Sequence, residues 1–243
     1  MTALSSTPDI AAPAERFNAA AYLLSVNAHR HDKLAYIDDQ QRLSYGELDN
    51  RVRRCAAGLL AAGLKRGDRA LMVLQDSVDF PVAFLGALWA GVVPVPVNTL
   101  LPAADYAYML IHCDAKAVLV SAPLLATVQT AVMESGLQPR VIVSGGDTST
   151  LTFASLLASP PLTSPVDSAA ADDAFWLYSS GSTGRPKGVV HSHANLYWTA
   201  ALYAQPVLGL REDDVLFSAA KLFFAYGLGN ALTFPLSVGA TTV

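Results

Sequence analysis

Eleven residues from Tyr178 to Gly188, reading Tyr-Ser-Ser-Gly-Ser-Thr-Gly-Arg-Pro-Lys-Gly, hold the side chains best suited to chemistry. Glycines at 181, 184 and 188 let the backbone turn tightly and bring its N–H groups close to a bound group. The hydroxyls of Ser179, Ser180, Ser182 and Thr183 add donors, and Lys187 adds a compact positive charge. Successive N–H groups in such a turn make an anion-binding concavity, suited to a nucleotide triphosphate tail. A plain Ser/Gly linker could share this composition. It would not need Lys-Gly after a stiff Arg-Pro, nor an apolar strand leading in.

Spacing excludes two other phosphate loops. A Walker A loop has Gly directly before its Lys, where this chain has Pro186. A dinucleotide fingerprint needs a third glycine after Gly227 and Gly229, at the place of Leu232.

Ser179 to Gly188 resembles the phosphate loop of the acyl-adenylate-forming enzymes, a superfamily of acyl- and aryl-CoA synthetases, luciferases and adenylation domains. The likeness runs from the helix at Tyr22 to the last residue. It implies that Ser179, Ser180, Ser182, Thr183 and Lys187 hold the β- and γ-phosphates of ATP, with Gly181, Gly184 and Gly188 shaping the loop.

A second segment, Phe223-Phe224-Ala225-Tyr226-Gly227, follows a strand by a few residues. Ligands in α/β sheets bind beyond the carboxyl ends of strands, and two aromatics, a small residue and a tyrosine could form a flat apolar slot. Ordinary core packing is the competing account. Lys221 to Asn230 is similar to the segment lining the acyl site of benzoate- and hydroxybenzoate-CoA ligases. Phe224 stands where many members carry histidine, which favours an apolar aryl acid over a long fatty acid. The resemblance thus implies that Phe224, Ala225, Tyr226 and Gly227 contact the acid.

Other polar groups yield no site. His191 and His193 would share one face of a strand, but no Cys, Asp or Glu lies close by to complete a metal set, so structural or capping roles are expected. Asp172-Asp173 and Asp213-Asp214 read as solvated turns. Arg51, Arg53 and Arg54 read as a helix face balanced by Glu47 and Asp49.

The elements expected to position these loops alternate between strand and helix periods, which calls for an α/β fold of largely parallel sheets flanked by helices. Leu34–Ile37 and Leu43–Tyr45 form a hairpin. Ser44 and Glu47 open a helix as a capping box, and Gly63 ends it. Strands are expected at 70–74, 92–97, 117–120, 141–143, 175–178 and 215–218. Helices are expected near 82–90, 104–112, 123–135 and 195–203, and after Phe223–Gly227 to about Leu236. The Ser/Thr/Pro/Ala-rich stretch 145–172 divides a first α/β subdomain, 1–170, from the start of a second, 171–243.

The chain has 243 residues, 52% of them hydrophobic, 15% charged, with a net charge of −4. That balance gives no electrostatic case for nucleic acid. Phe80 to Ala104 lacks charge, but Gly91, Pro94 and Pro96 divide it into helix and strand, so no membrane role is expected. Cys55 and Cys113 have neither disulfide-framework nor zinc spacing, and no secretory leader is seen, so a cytoplasmic setting is the default.

The family resemblance implies a two-step ligase using ATP with Mg2+, an aryl carboxylate and CoA, with a homodimer allowed. The benzoate-CoA ligase type is expected, in the catabolism of aromatic acids. An adenylating enzyme that passes its acyl group to a carrier protein, or a noncatalytic nucleotide-binding fragment, are the alternatives. The family's magnesium, adenine and CoA motifs and its catalytic lysine find no counterpart here, so no catalytic residue and no metal ligand is assigned. The chain is expected to be an N-terminal segment of a longer protein, inactive alone, with a last strand that lacks neighbours.

Overall fold

The computed structural model describes residues 10–146, 151–179 and 184–243. In chain order the elements are α1 (Ala19–Ser25), β1 (Leu34–Ile37), β2 (Arg42–Ser44), α2 (Tyr45–Ala61), β3 (Arg69–Val73), α3 (Asp79–Trp89) and β4 (Val93–Pro96). Then come α4 (Ala103–His112), β5 (Ala115–Ser121), α5 (Leu125–Ser135), β6 (Arg140–Ser144), β7 (Leu151–Thr152) and α6 (Phe153–Leu157). The last are β8 (Asp173–Ser179), β9 (Lys187–Ser192), α7 (His193–Thr199), β10 (Val215–Leu216), α8 (Ala225–Leu228), α9 (Phe234–Val238) and β11 (Thr241–Thr242).

Five parallel strands in the order β4-β3-β5-β6-β7 make the principal sheet. Its strands are apolar without alternation because both faces are covered. Ala70, Met72, Ala117, Leu119 and Ile142 face α2 and α3, packing with Leu48, Val52, Phe84 and Leu88. The intervening Leu71, Val73, Val118, Val120 and Val143 face α4 and α5, packing with Tyr106, Leu110, Val128 and Ala131. Thus the period of two along each strand sorts neighbours into two cores.

The chain steps from β3 to β4 in one direction, then passes back over β3 to β5. The crevice at the carboxyl end of β3 is therefore a topological switch point. The uncharged run from Phe80 divides as expected, into α3 and β4, both almost wholly buried. Among the described residues no helix is long and apolar enough to cross a membrane.

A second sheet runs β10-β11-β1-β2, with β11 parallel to both β10 and β1. This corrects the expectation of a last strand without neighbours. Tyr36 pairs with Thr242, and the Thr241 hydroxyl donates to the Leu34 carbonyl at 2.7 Å. The Tyr45 hydroxyl likewise donates to Ala240 at 2.7 Å. Here the β-branched run finds its partners in the first hairpin of the chain, a pairing too distant for local pattern to reveal.

Candidate functional site: a phosphate-loop hairpin beside an aromatic segment

β8 and β9 form an antiparallel hairpin, with Ser179 opposite Lys187, Tyr178 opposite Gly188, Leu177 opposite Val189 and Phe175 opposite His191. The expected phosphate loop is the connection between them. Ser180, Gly181, Ser182 and Thr183 lie outside the described residues. A strand, not a helix, follows the loop, which sets it apart from a Walker A arrangement.

Two of the loop glycines are needed for different reasons. Gly184 has φ +93°, a left-handed conformation that disfavours any Cβ, although a Cβ there would meet nothing within 4 Å among the described residues. At Gly188 the reason is space: a Cβ would stand 3.1 Å from Trp176 Cε3.

Opposed residues in an antiparallel pair point to the same side, so the hairpin has two distinct faces. One carries Phe175 and His191, then Leu177 and Val189, then Ser179 and Lys187 at its tip. His191 stacks on Phe175 with ring centroids 4.6 Å apart and planes 7° from parallel. Leu177, Ala225, Leu196, Gly229 and Phe234 join this pair around a cavity of about 100 Å³. From Phe175 to Ser179 the strand rises about 14 Å. One face therefore joins an apolar cavity to the two described polar residues that flank the loop.

The aromatic segment is held at the switch point. Asp76, just beyond β3, accepts from the Leu222 N–H at 3.2 Å, and its carboxylate lies 3.4 Å from Lys221 Nζ. Phe224 N–H then donates to the Lys221 carbonyl at 3.0 Å, and the chain enters α8. The turn leaves no room at Gly227, where a Cβ would stand 2.1 Å from the Lys221 oxygen. Phe223 points inward, whereas Phe224 and Tyr226 are 50% and 69% exposed. Ala225 alone of the four expected acid contacts lines the cavity; Gly227 is buried beneath the turn.

A family model described as "AMP-binding enzyme" matches residues 24–243. The chain belongs to the AMP-binding enzyme family. It is 47% identical to the benzoate–CoA ligase of Thauera aromatica, over 98% of this chain and 46% of that protein. It is 44% identical to the 4-hydroxybenzoate–CoA/benzoate–CoA ligase of Rhodopseudomonas palustris, over 95% and 43%. A solved benzoate CoA ligase from Burkholderia xenovorans LB400 superposes with a TM-score of 0.87 at 53% identity, covering 93% of this chain and 45% of its own. The chain thus spans a little under half the length of these relatives.

In this member of the family, the two histidines beyond the loop part company. His191 stays on β9, while His193 opens α7 and is buried. His193 Nδ1 accepts from the Ala19 N–H at 3.2 Å, the satisfied structural role expected of it. Burial pushes its imidazole down to about 4, against a smaller upward pull from Asp172. Burial also lowers His191, so the ring stacked on Phe175 is neutral at pH 7.

Sequence reasoning left Phe175 and His191 out of the site. Their one signal was that both fall at even spacing from Ser179 and Lys187, on strands that pair. It also missed the π-helical turns Ala200–Ala204 and Gly229–Thr233. Gly229 and Thr233 of the second border the cavity, and such turns are frequent at functional sites.

Proposed function

We propose that this chain is the ATP-phosphate and acid-binding part of an aryl-acid CoA ligase of the benzoate type. The observation that carries the reading is the continuous hairpin face, which runs from the Phe175–His191 cavity to Ser179 and Lys187. The names of the two curated relatives support the aryl acid and CoA.

In this reading Ser179, Ser180, Gly181, Ser182, Thr183, Gly184, Lys187 and Gly188 surround the β- and γ-phosphates. Phe224, Ala225, Tyr226 and Gly227 contact the acid. A carboxylate oxygen bonds to the α-phosphorus as the α–β anhydride bond breaks, and pyrophosphate leaves. Negative charge grows on that leaving group, and the role of the loop donors with Lys187 is to stabilise it. The thiol of CoA then attacks the acyl carbon, releases AMP and leaves a thioester. Mg2+ would accompany ATP. No group of three His, Cys, Asp or Glu side chains able to hold a metal occurs among the described residues, and no step is derived through one.

The test is AMP formation by the full-length gene product given ATP, magnesium and benzoate, with and without CoA. Turnover requiring both benzoate and CoA is expected. Benzoate-dependent AMP without CoA would point instead to an acyl-carrier acceptor, and absence of benzoate-dependent AMP would sink the aryl-acid assignment.

A further inference from the structure

The hairpin face opposite the cavity carries Trp176 and Tyr178, which pack into the core under α4. Two α4 side chains one turn apart, Tyr108 and His112, reach the two ends of the loop. The Tyr108 hydroxyl donates to the Pro186 carbonyl at 3.1 Å, and the Arg185 guanidinium lies over its ring, 5.1 Å from the centroid. His112 Nδ1 lies 2.8 Å from the Tyr178 hydroxyl. The Tyr178 hydroxyl also has the Met109 carbonyl of α4 at 3.5 Å, and the tautomer of the imidazole decides whether Nδ1 accepts from the phenol or donates to it. Gly188 lies beside this pair, its Cα side facing His112 Cε1 at a distance where a Cβ would make ordinary contact, 3.4 Å.

We propose that Tyr108 and His112 are positioning residues that hold both ends of the phosphate loop from a single helix face. The inference rests on the phosphate reading of the loop. Neither residue lies on the hairpin face that carries Ser179 and Lys187, so they act through Pro186 and Tyr178. Fixing Tyr178 and Pro186 fixes where their neighbours Ser179 and Lys187 stand, and groups already in place lose less freedom on binding an anion, so anchoring favours binding of the phosphates. It should matter little to a nucleotide without distal phosphates.

That difference supplies the experiment. ATP and AMP binding to the full-length gene product are measured by calorimetry for wild type, Tyr108→Phe, His112→Phe and Lys187→Ala. Each α4 variant keeps a ring and removes one hydrogen bond. A roughly three- to tenfold rise in the ATP Kd is expected for each, with AMP binding unchanged. Trypsin should also cut faster after Lys187 in both, while the bond after Arg185 is shielded by Pro186.

An unchanged ATP Kd in both α4 variants, with Lys187→Ala still weakening ATP, would overturn the anchoring role and leave the phosphate reading intact. Equal losses for ATP and AMP, with a lowered melting temperature, would overturn it too by showing general destabilisation. If Lys187→Ala leaves ATP binding unchanged, the phosphate reading itself fails.

Discussion

The imidazole of His191 lies flat on the ring of Phe175, 4.6 Å between centroids, and ties β9 to β8 four residues before the loop begins. Because burial holds His191 neutral, the contact is aromatic stacking rather than cation–π attraction. His191→Ala should therefore lower stability by about 1 kcal/mol, and His191→Phe should recover most of it. Urea denaturation of the three proteins at pH 7 checks this.

The two loop glycines predict separable outcomes. Gly184→Ala should cost about 1 kcal/mol of stability through backbone strain, since nothing among the described residues would touch the new methyl group. Gly188→Ala must instead displace Trp176, and should disturb the indole environment. Tryptophan fluorescence distinguishes them: a shifted spectrum is expected for Gly188→Ala and an unshifted one for Gly184→Ala.

Lys187→Ala should weaken use of ATP with little loss of fold, because the side chain is exposed at the hairpin tip. Unaltered adenylation rates would count against the phosphate role. Tyr226→Ala should change acid preference without unfolding the chain, as that ring is also largely exposed. A panel of benzoate and hydroxybenzoates reads the effect, and an identical ranking would refute the contact.

His193 predicts a pH dependence. Its pKa is near 6.5 when the chain is unfolded and about 4 when folded, so the unfolded state binds protons more tightly in between. Its contribution is complete above pH 6.5 and is lost as pH falls towards 4, by roughly 3 kcal/mol at most. His193→Asn keeps an acceptor for the Ala19 N–H and should flatten that part of the profile. Denaturation midpoints at pH 7 and pH 5 test it.

Much of the scaffold was legible because local signals agreed with the tertiary outcome. Ser44 and Glu47 make both hydrogen bonds of the capping box, at 3.2 and 2.8 Å. Gly63, φ +96°, ends that helix. β9 was not legible, since Lys187–Ser192 puts two exposed valines side by side and owes its extended form to β8. Nor could spacing say which aromatics of 223–226 point inward, because the tight turn at Gly227 decides it. The Tyr108–Pro186 hydrogen bond crosses 78 positions and leaves no local trace.

The placement of β11 between β10 and β1 has a consequence for how the chain is made. β1 leaves the ribosome roughly two hundred residues before the strand that covers its open side. At bacterial and eukaryotic elongation speeds that is a wait of roughly 10 to 40 s. Throughout it the first hairpin exposes an unpaired strand edge to every other nascent chain nearby. Residues of α1 and α2, made on either side of that hairpin, share its core and cover its apolar face in the interval, while the edge itself is closed only by β11.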